Sequence, residues 1–266
     1  MLILGGIHGN EPCGTRALLS LRNKIEKHEI TLSSGNLTIV PFSNPEACKQ
    51  NKRYIDYDAN RLFGKTDEVS SAAYELKLIP ELKTLIENCD LLLDLHSFSG
   101  KGAPFIFKDY DDEVSDTWSR SLGIEHIISG WPALDFNKGK PAYDTSYYAH
   151  INGKPALTVE CGHHNDENSV IIAEQVILKS LLYADFIAQD DCMQNISSKS
   201  ITVNKAYLKP AEGRFAKDWK NLDKIKKGDL LAYEADKEIR AMIDGYILMP
   251  KENAVINEEW FFTAHS

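Results

Sequence analysis

Positive charge is scarce in this chain. Its 30 lysines and arginines are outnumbered by 39 aspartates and glutamates, for a formal net charge of −9. Neutralising a polyanion needs a basic surface, so nucleic acid is not an expected partner. Long apolar runs are missing too. None would span a bilayer, and the N-terminus lacks the basic stretch, apolar segment and small-residue cleavage site of a secretory signal, so no membrane partner is expected. Cysteine is sparse: Cys13, Cys48, Cys89, Cys161 and Cys192 are odd in number, far apart and without a C-x-x-C pair. That argues against a disulfide framework or a cysteine zinc site and for reduced thiols in a cytoplasm. What remains is an ordinary globular composition, 43% hydrophobic and 26% charged over 266 residues. It suffices for one large domain or two smaller ones with a real core.

The stretch Leu2–Gly14 (LILGGIHGNEPCG) organises the reading. Leu2-Ile3-Leu4 ahead of Gly5-Gly6 suggests a short buried strand entering a tight turn, and Thr15 to Lys27 suggests a helix leaving it. His8 and Glu11 then fall just past a strand's carboxyl end, where open α/β sheets place ligands. Imidazole nitrogen and carboxylate oxygen are both good zinc ligands, and two intervening residues let both reach one ion.

Further along, Leu37–Val40 reads as a second core strand. Asn44-Pro45 opens a polar loop over 46–66 that holds Lys52, Arg53, Asp58, Asn60 and Arg61. Helical spacing follows from Ser70 to Asn88, with Pro80 as a kink. Asp90–Leu95 is an apolar run that delivers His96 at its end, as the first strand delivers His8. Phe105–Phe107 and Ile127-Ile128 suggest further strands around a helix in 108–127 that starts near Asp111 or Asp112. Residues 129–148 suggest an active-site loop, and 146–152 a short helix. Pro155–Cys161 reads as a core strand ending in Glu160, followed by a helix over 167–188. Strands alternating with helices call for a mostly parallel (mixed) sheet flanked by helices. After a linker at 190–200, short β runs at 201–203, 230–233, 239–242 and 246–249 suggest a small all-β unit. The expected division is therefore a catalytic domain over 1–190 and a C-terminal β domain over 201–266.

Three strand ends thus carry chemistry: His8 with Glu11, His96, and Glu160. A catalytic zinc takes three protein ligands and leaves one position open, and two histidines with a glutamate is an attested set. A second carboxylate can serve as general base. An arginine can stabilise an oxyanion, and an arginine with an amide can hold a substrate carboxylate. Taken alone, His8 or His96 would be a hydrogen-bonded structural histidine, and Arg53 or Arg61 an ion-pair partner of Asp56 or Asp58.

The order GGIHGNE, NP, RYIDYDANRLF, DLH, TVECG resembles the succinylglutamate desuccinylase/aspartoacylase family of zinc deacylases, relatives of the zinc carboxypeptidases. The resemblance runs from about Leu2 to Gly162. It implies a zinc-carboxypeptidase-like fold, one Zn²⁺ held by His8, Glu11 and His96, and Glu160 as general base. It further implies that Arg53 stabilises the oxyanion and that Asn60 with Arg61 binds the carboxylate of a small-molecule N-acyl amino acid. The C-terminal segment looks like a barrel-sandwich domain, and Asp236-Lys237 reads as a solvated charged turn. Two departures stand out. The chain begins almost in its first ligand-bearing strand. Moreover, His150 stands by count where aspartoacylase-like members place an arginine for the acyl carboxylate, with no arginine between Arg120 and Arg214. Rival readings are a metallocarboxypeptidase or peptidoglycan-type amidase with the same zinc set, or a non-catalytic metal- or ligand-binding protein. The sequence leaves the acyl group and the oligomeric state open, a homo-oligomer included.

Overall fold

The computed structural model describes residues 1–64, 70–131, 134, 143–188 and 197–266. A ten-stranded mixed sheet runs through them in the order β2-β1-β3-β6-β4-β5-β7-β13-β12-β9. These strands are Leu2–Gly5 (β1), Thr38–Val40 (β2), Leu92–Phe98 (β3), Phe105–Phe107 (β4), His126–Ser129 (β5) and Ala156–His163 (β6). Lys199–Leu208 (β7), Asp223–Ile225 (β9), Gly245–Leu248 (β12) and Glu259–His265 (β13) complete it. β1, β2, β3 and β6 are mutually parallel, β4 is antiparallel to β6, and β4, β5 and β7 are parallel again. The last strands are antiparallel. A separate three-stranded sheet holds Gly213–Phe215 (β8), Leu230–Glu234 (β10) and Lys237–Arg240 (β11).

Period-2 alternation divides the core. Ile3, Leu93, Leu95, Leu157, Val159 and Cys161 pack beneath the helices Pro12–Glu26 (α1) and Glu167–Tyr183 (α6). On the opposite face Leu2, Leu4 and Leu92 pack with Ile79, Leu82 and Ile86 of Ile79–Glu87 (α3) and with Ala149 of Thr145–Ile151 (α5). A sheet covered on both sides explains why these strands read as continuous apolar runs.

Local chemistry moves several expected boundaries. Asn44 does not open a loop; its side chain accepts from Ala47 N–H (3.2 Å) and caps a helix at Pro45–Gln50 (α2). Asp58 caps a 3₁₀ turn at Ala59–Arg61 in the same way. Pro80 kinks nothing, because it lies in the first turn of α3, where a missing N–H is harmless. The helix expected in 108–127 is only Glu113–Ser121 (α4), started by the Asp112 cap. Half of the expected loop at 129–148, residues 132–133 and 135–142, lies outside the described residues, as do 190–196 of the expected linker.

The C-terminal β region contains a strand that the sequence reading passed over, β13 (EWFFTAH). Its Trp260, Phe261 and Phe262 are fully buried between β7 and β12. Through β7 this antiparallel region continues the central sheet. Asp236 sits in the exposed turn between β10 and β11.

Candidate active site and metal centre

The β1 turn depends on Gly6, whose φ is +68° and whose absent Cβ would lie 2.8 Å from Cys48 Sγ. Beyond it, Gly9 passes so close to Ala47 that a Cβ would overlap that residue's carbonyl carbon at 2.0 Å. This crossing places α2 and the Arg53 segment over the strand ends.

Glu11 occupies the N-cap position of α1 but caps nothing with its side chain. Its carboxylate turns inward instead. Oε1 lies 2.9 Å from His8 Nδ1, and Oε2 lies 2.9 Å from His96 Nδ1 and accepts from Ser97 N–H at 3.0 Å. The donors of His8, Glu11 and His96 fall within 4.8 Å of one another, and all three residues are buried. Each imidazole's other nitrogen faces a carboxylate: His8 Nε2 is 2.9 Å from Asp58 Oδ1, and His96 Nε2 is 3.1 Å from Asp94 Oδ2. The Asp58 hydrogen bond fixes the His8 ring, and Asp94 lies behind the His96 ring without a well-directed hydrogen bond, an arrangement that suits metal-binding histidines. His8 Nδ1, although 2.9 Å from Glu11 Oε1, makes no well-directed hydrogen bond among the described residues. An orphaned nitrogen converging with a second imidazole and a carboxylate fits a zinc ligand set.

Electrostatics separate the site's two glutamates. Burial would raise Glu11, but the His8 and His96 rings hold it well below the ordinary carboxylate range. Glu160 lies opposite His96 in the β3–β6 register. Burial and the repulsion of Glu11 push it up to about 7, and its Oε2 has no hydrogen-bond partner among the described residues. Burial works against protonation of His96, yet Asp94 and Glu11 raise its affinity for a proton well above the usual value. Asp58, despite burial, is held well below its usual value by His8, Arg53 and Arg61.

Of the expected substrate residues, Arg53 spans the site. Nη1 donates to Glu11 Oε1 (3.2 Å), while Nε and Nη2 donate to Asp58 Oδ2 (3.1 and 3.0 Å). Asn60 Oδ1 accepts from Thr145 N–H (3.1 Å), and Arg61 is exposed, with Nη1 donating to its neighbour's carbonyl (2.8 Å). Arg53, Asn60, Arg61, His96 and Glu160 line one cleft. His8 and Glu11 lie behind its surface.

Several contributors escaped the sequence reading. Fully buried Glu75 accepts from Ile55, Asp56 and Tyr57 N–H (2.7, 3.1 and 3.1 Å) and from Asn44 Nδ2 (3.2 Å), and so ties down the segment between Arg53 and Asp58. In the sequence it is one polar position in a helical pattern. Asp94 was hidden in an apolar run; only its place two residues before His96 signals it. Met249, Pro250, Lys251 and Glu259 of the C-terminal region supply a cleft wall, riveted by buried Asn221. Asn221 donates to Lys101 O (2.7 Å, from N) and Ala103 O (3.0 Å, from Nδ2), and Oδ1 accepts from Met249 N–H (2.8 Å). His164 also lines the cleft, with Nδ1 2.9 Å from Ser97 Oγ, whereas exposed His150 stacks on Tyr110 at 4.0 Å.

Fold and site together define a mixed α/β protein with a buried His–Glu–His cluster beside a free carboxylate. A family model described as the succinylglutamate desuccinylase/aspartoacylase catalytic domain matches residues 1–183, and the chain belongs to that family. It is 44% identical over 68 residues to a probable aspartoacylase of Acaryochloris marina, covering 25% of this chain and 22% of the relative. It is 33% identical over 176 residues to a succinylglutamate desuccinylase of Pseudomonas aeruginosa, covering 61% of this chain and 50% of that one. The chain thus spans half or less of these curated relatives. A succinylglutamate desuccinylase/aspartoacylase structure from Rhodobacter sphaeroides superposes with a TM-score of 0.79 at 16% identity, covering 100% of this chain and 85% of the other; this likeness shows the fold.

Proposed function

We propose that the chain is a zinc-dependent deacylase that hydrolyses the amide of an N-acyl amino acid or related small molecule. One Zn²⁺ per chain is held by His8, Glu11 and His96, and, when bound, supplies Lewis-acid polarisation of the carbonyl and a lowered water pKa. Glu160 takes the proton of the attacking water and returns it to the leaving nitrogen; a carboxylate near neutrality suits both transfers. The Arg53 guanidinium, anchored on Glu11 and Asp58 at the cleft surface, supports the oxyanion. Arg61, exposed in the cleft beside Asn60, holds the substrate carboxylate.

The observation that carries this reading is Glu160 Oε2, buried beside the His–Glu–His cluster in the same cleft and without a hydrogen-bond partner among the described residues. A purely structural metal site has no use for such a carboxylate. The wall from Met249 to Lys251 encloses the cleft, which favours a small substrate over a polypeptide. The reading is tested by metal content and by a panel of N-acyl amino acids and peptides. About one zinc per chain, lost in His96→Ala, with hydrolysis of N-acyl amino acids is expected. Absence of zinc in both proteins after incubation with the metal would overturn it, and preferential peptide cleavage would replace the deacylase with a carboxypeptidase.

A further inference from the structure

One wall of the cleft has no role in this mechanism. Asp109 and Asp144 both line it, beside Tyr110 and Trp131. Backbone contacts fix its position. Phe63 N–H donates to Tyr143 O (2.9 Å) and Thr145 N–H to Asn60 Oδ1 (3.1 Å), so Asp144 stands next to the Asn60–Arg61 anchor. Asp109 reaches the same wall from just past β4, where its Oδ1 accepts from Trp131 N–H (3.2 Å). Asp144 Oδ1 accepts from Tyr147 N–H (2.7 Å). Each carboxylate therefore uses one oxygen to hold backbone, and the other makes no hydrogen bond among the described residues.

Neither has a lysine or arginine ion-pair partner among those residues. The Lys108 ammonium pairs with Asp111 and Asp116 (3.2 and 2.6 Å) and Arg61 Nη1 donates to a carbonyl, so these cations ease the Asp109 and Asp144 charges only in part. Burial and the neighbouring Asp144 push Asp109 up to about 7, and burial raises Asp144 as well. Two like charges sharing an enclosed wall are relieved by a positive charge brought by the ligand. The aromatic neighbours suit the same guest. Tyr110 is held flat against His150, and Trp131 packs edge-on against Phe107 at 4.9 Å, so both rings are braced beside the acids, and aromatic faces attract cations.

We propose that Asp109 and Asp144, flanked by Tyr110 and Trp131, are the specificity-determining residues for a protonated amine on the amino-acid half of the substrate. The chain then acts on N-acyl diamino acids in preference to N-acyl dicarboxylic amino acids. This rests on the deacylase reading, because Arg61 must hold the α-carboxylate for the side chain to meet this wall.

The test is calorimetric titration of the zinc-loaded Glu160→Gln protein with Nα-acetylornithine, its neutral isostere Nα-acetylcitrulline, and Nα-acetylglutamate, alongside turnover of all three by the wild type. The ornithine derivative should bind about tenfold tighter than the citrulline one, as a charge-assisted hydrogen bond would give, and the glutamate derivative weakest. Adding Asp109→Asn and Asp144→Asn, which keep both backbone acceptors, should bring ornithine down to the citrulline affinity. Retained citrulline binding reports an intact fold, and single Asp109→Asn should shift the ratio in the same direction. Equal affinities, a preference for glutamate, an unchanged ratio in the variants, or no binding of the ornithine derivative would each overturn the proposal. Aspartate-dependent ornithine binding without wild-type turnover keeps the subsite and removes the deacylase reading. Turnover without charge preference does the reverse.

Discussion

Both ends of the cleft are built from carboxylates, and they treat the charge in opposite ways. At the metal end every acid is answered: Glu11 by two imidazoles and Arg53, Asp58 by His8 and Arg53, Asp94 by His96 and the Thr145 hydroxyl (2.6 Å). At the far wall Asp109 and Asp144 hydrogen-bond only to backbone N–H groups among the described residues, and Lys108 and Arg61 ease their charge without forming an ion pair with them. Glu160 stands between these extremes, near two histidines and an arginine yet repelled by Glu11. Compensation turns a carboxylate into a fixed anion fit to hold a ring or an ion; its lack makes one a proton carrier or a receptor for charge brought by a ligand.

Removing the intermediate case should have the largest effect. Glu160→Gln keeps shape and removes the base, so kcat should fall about 10³-fold while zinc content stays at the wild-type value. Steady-state turnover and metal analysis on one sample check both halves, and normal turnover would sink the base assignment. Next comes Glu75, compensated by N–H groups alone. Glu75→Ala strands three backbone donors and should lower unfolding stability by about 3 kcal/mol, read as a lower urea midpoint. Asp94→Asn and Asp58→Asn weaken the compensation behind each imidazole, and zinc affinity should drop about 10- to 100-fold in competition with a chelator.

The smallest effect is expected at the uncompensated wall. Asp109 binds its proton more tightly folded than unfolded, so its contribution to stability is fully present below its ordinary value of 3.8 and is lost as pH rises through about 7. The full shift would correspond to about 4 kcal/mol, and because Asp109 is only half-buried we expect Asp109→Asn to be more stable than wild type by about half of that above pH 7, with the difference vanishing in acid. A pH series of thermal melts on metal-free protein measures this. A constant offset at every pH would show that the Asp109 charge is answered after all.

The clustering of His8, Glu11 and His96 was legible in the sequence because each sits at or near the end of an apolar strand, and strand ends are marked by simple patterns. Leu2–Leu4 and the run up to Leu95 announced where His8 and His96 would emerge. His96 lies inside β3 rather than past it, since the pairing of His96 with Glu160 carries the ladder beyond the apolar run. What remained hidden depends on partners distant in the chain. Glu75 acts on residues about twenty positions earlier, and Asn221 joins segments 118 and 28 residues away. No local period encodes such bonds. β13 escaped for a related reason: with Trp260, Phe261 and Phe262 buried on both faces, it lacks the alternation that marks a half-exposed strand.

The pairing of β5 with β7 carries a further consequence, for what can be cut from this molecule. Ile127 and Ile128 are buried strand residues whose outer backbone edge is covered by Lys199–Thr202. A fragment ending before Lys199 would leave a bare parallel edge next to apolar side chains, a template for joining another chain. The C-terminal strands therefore act as a permanent guard on that edge, and a truncated catalytic half should be sticky before it is inactive.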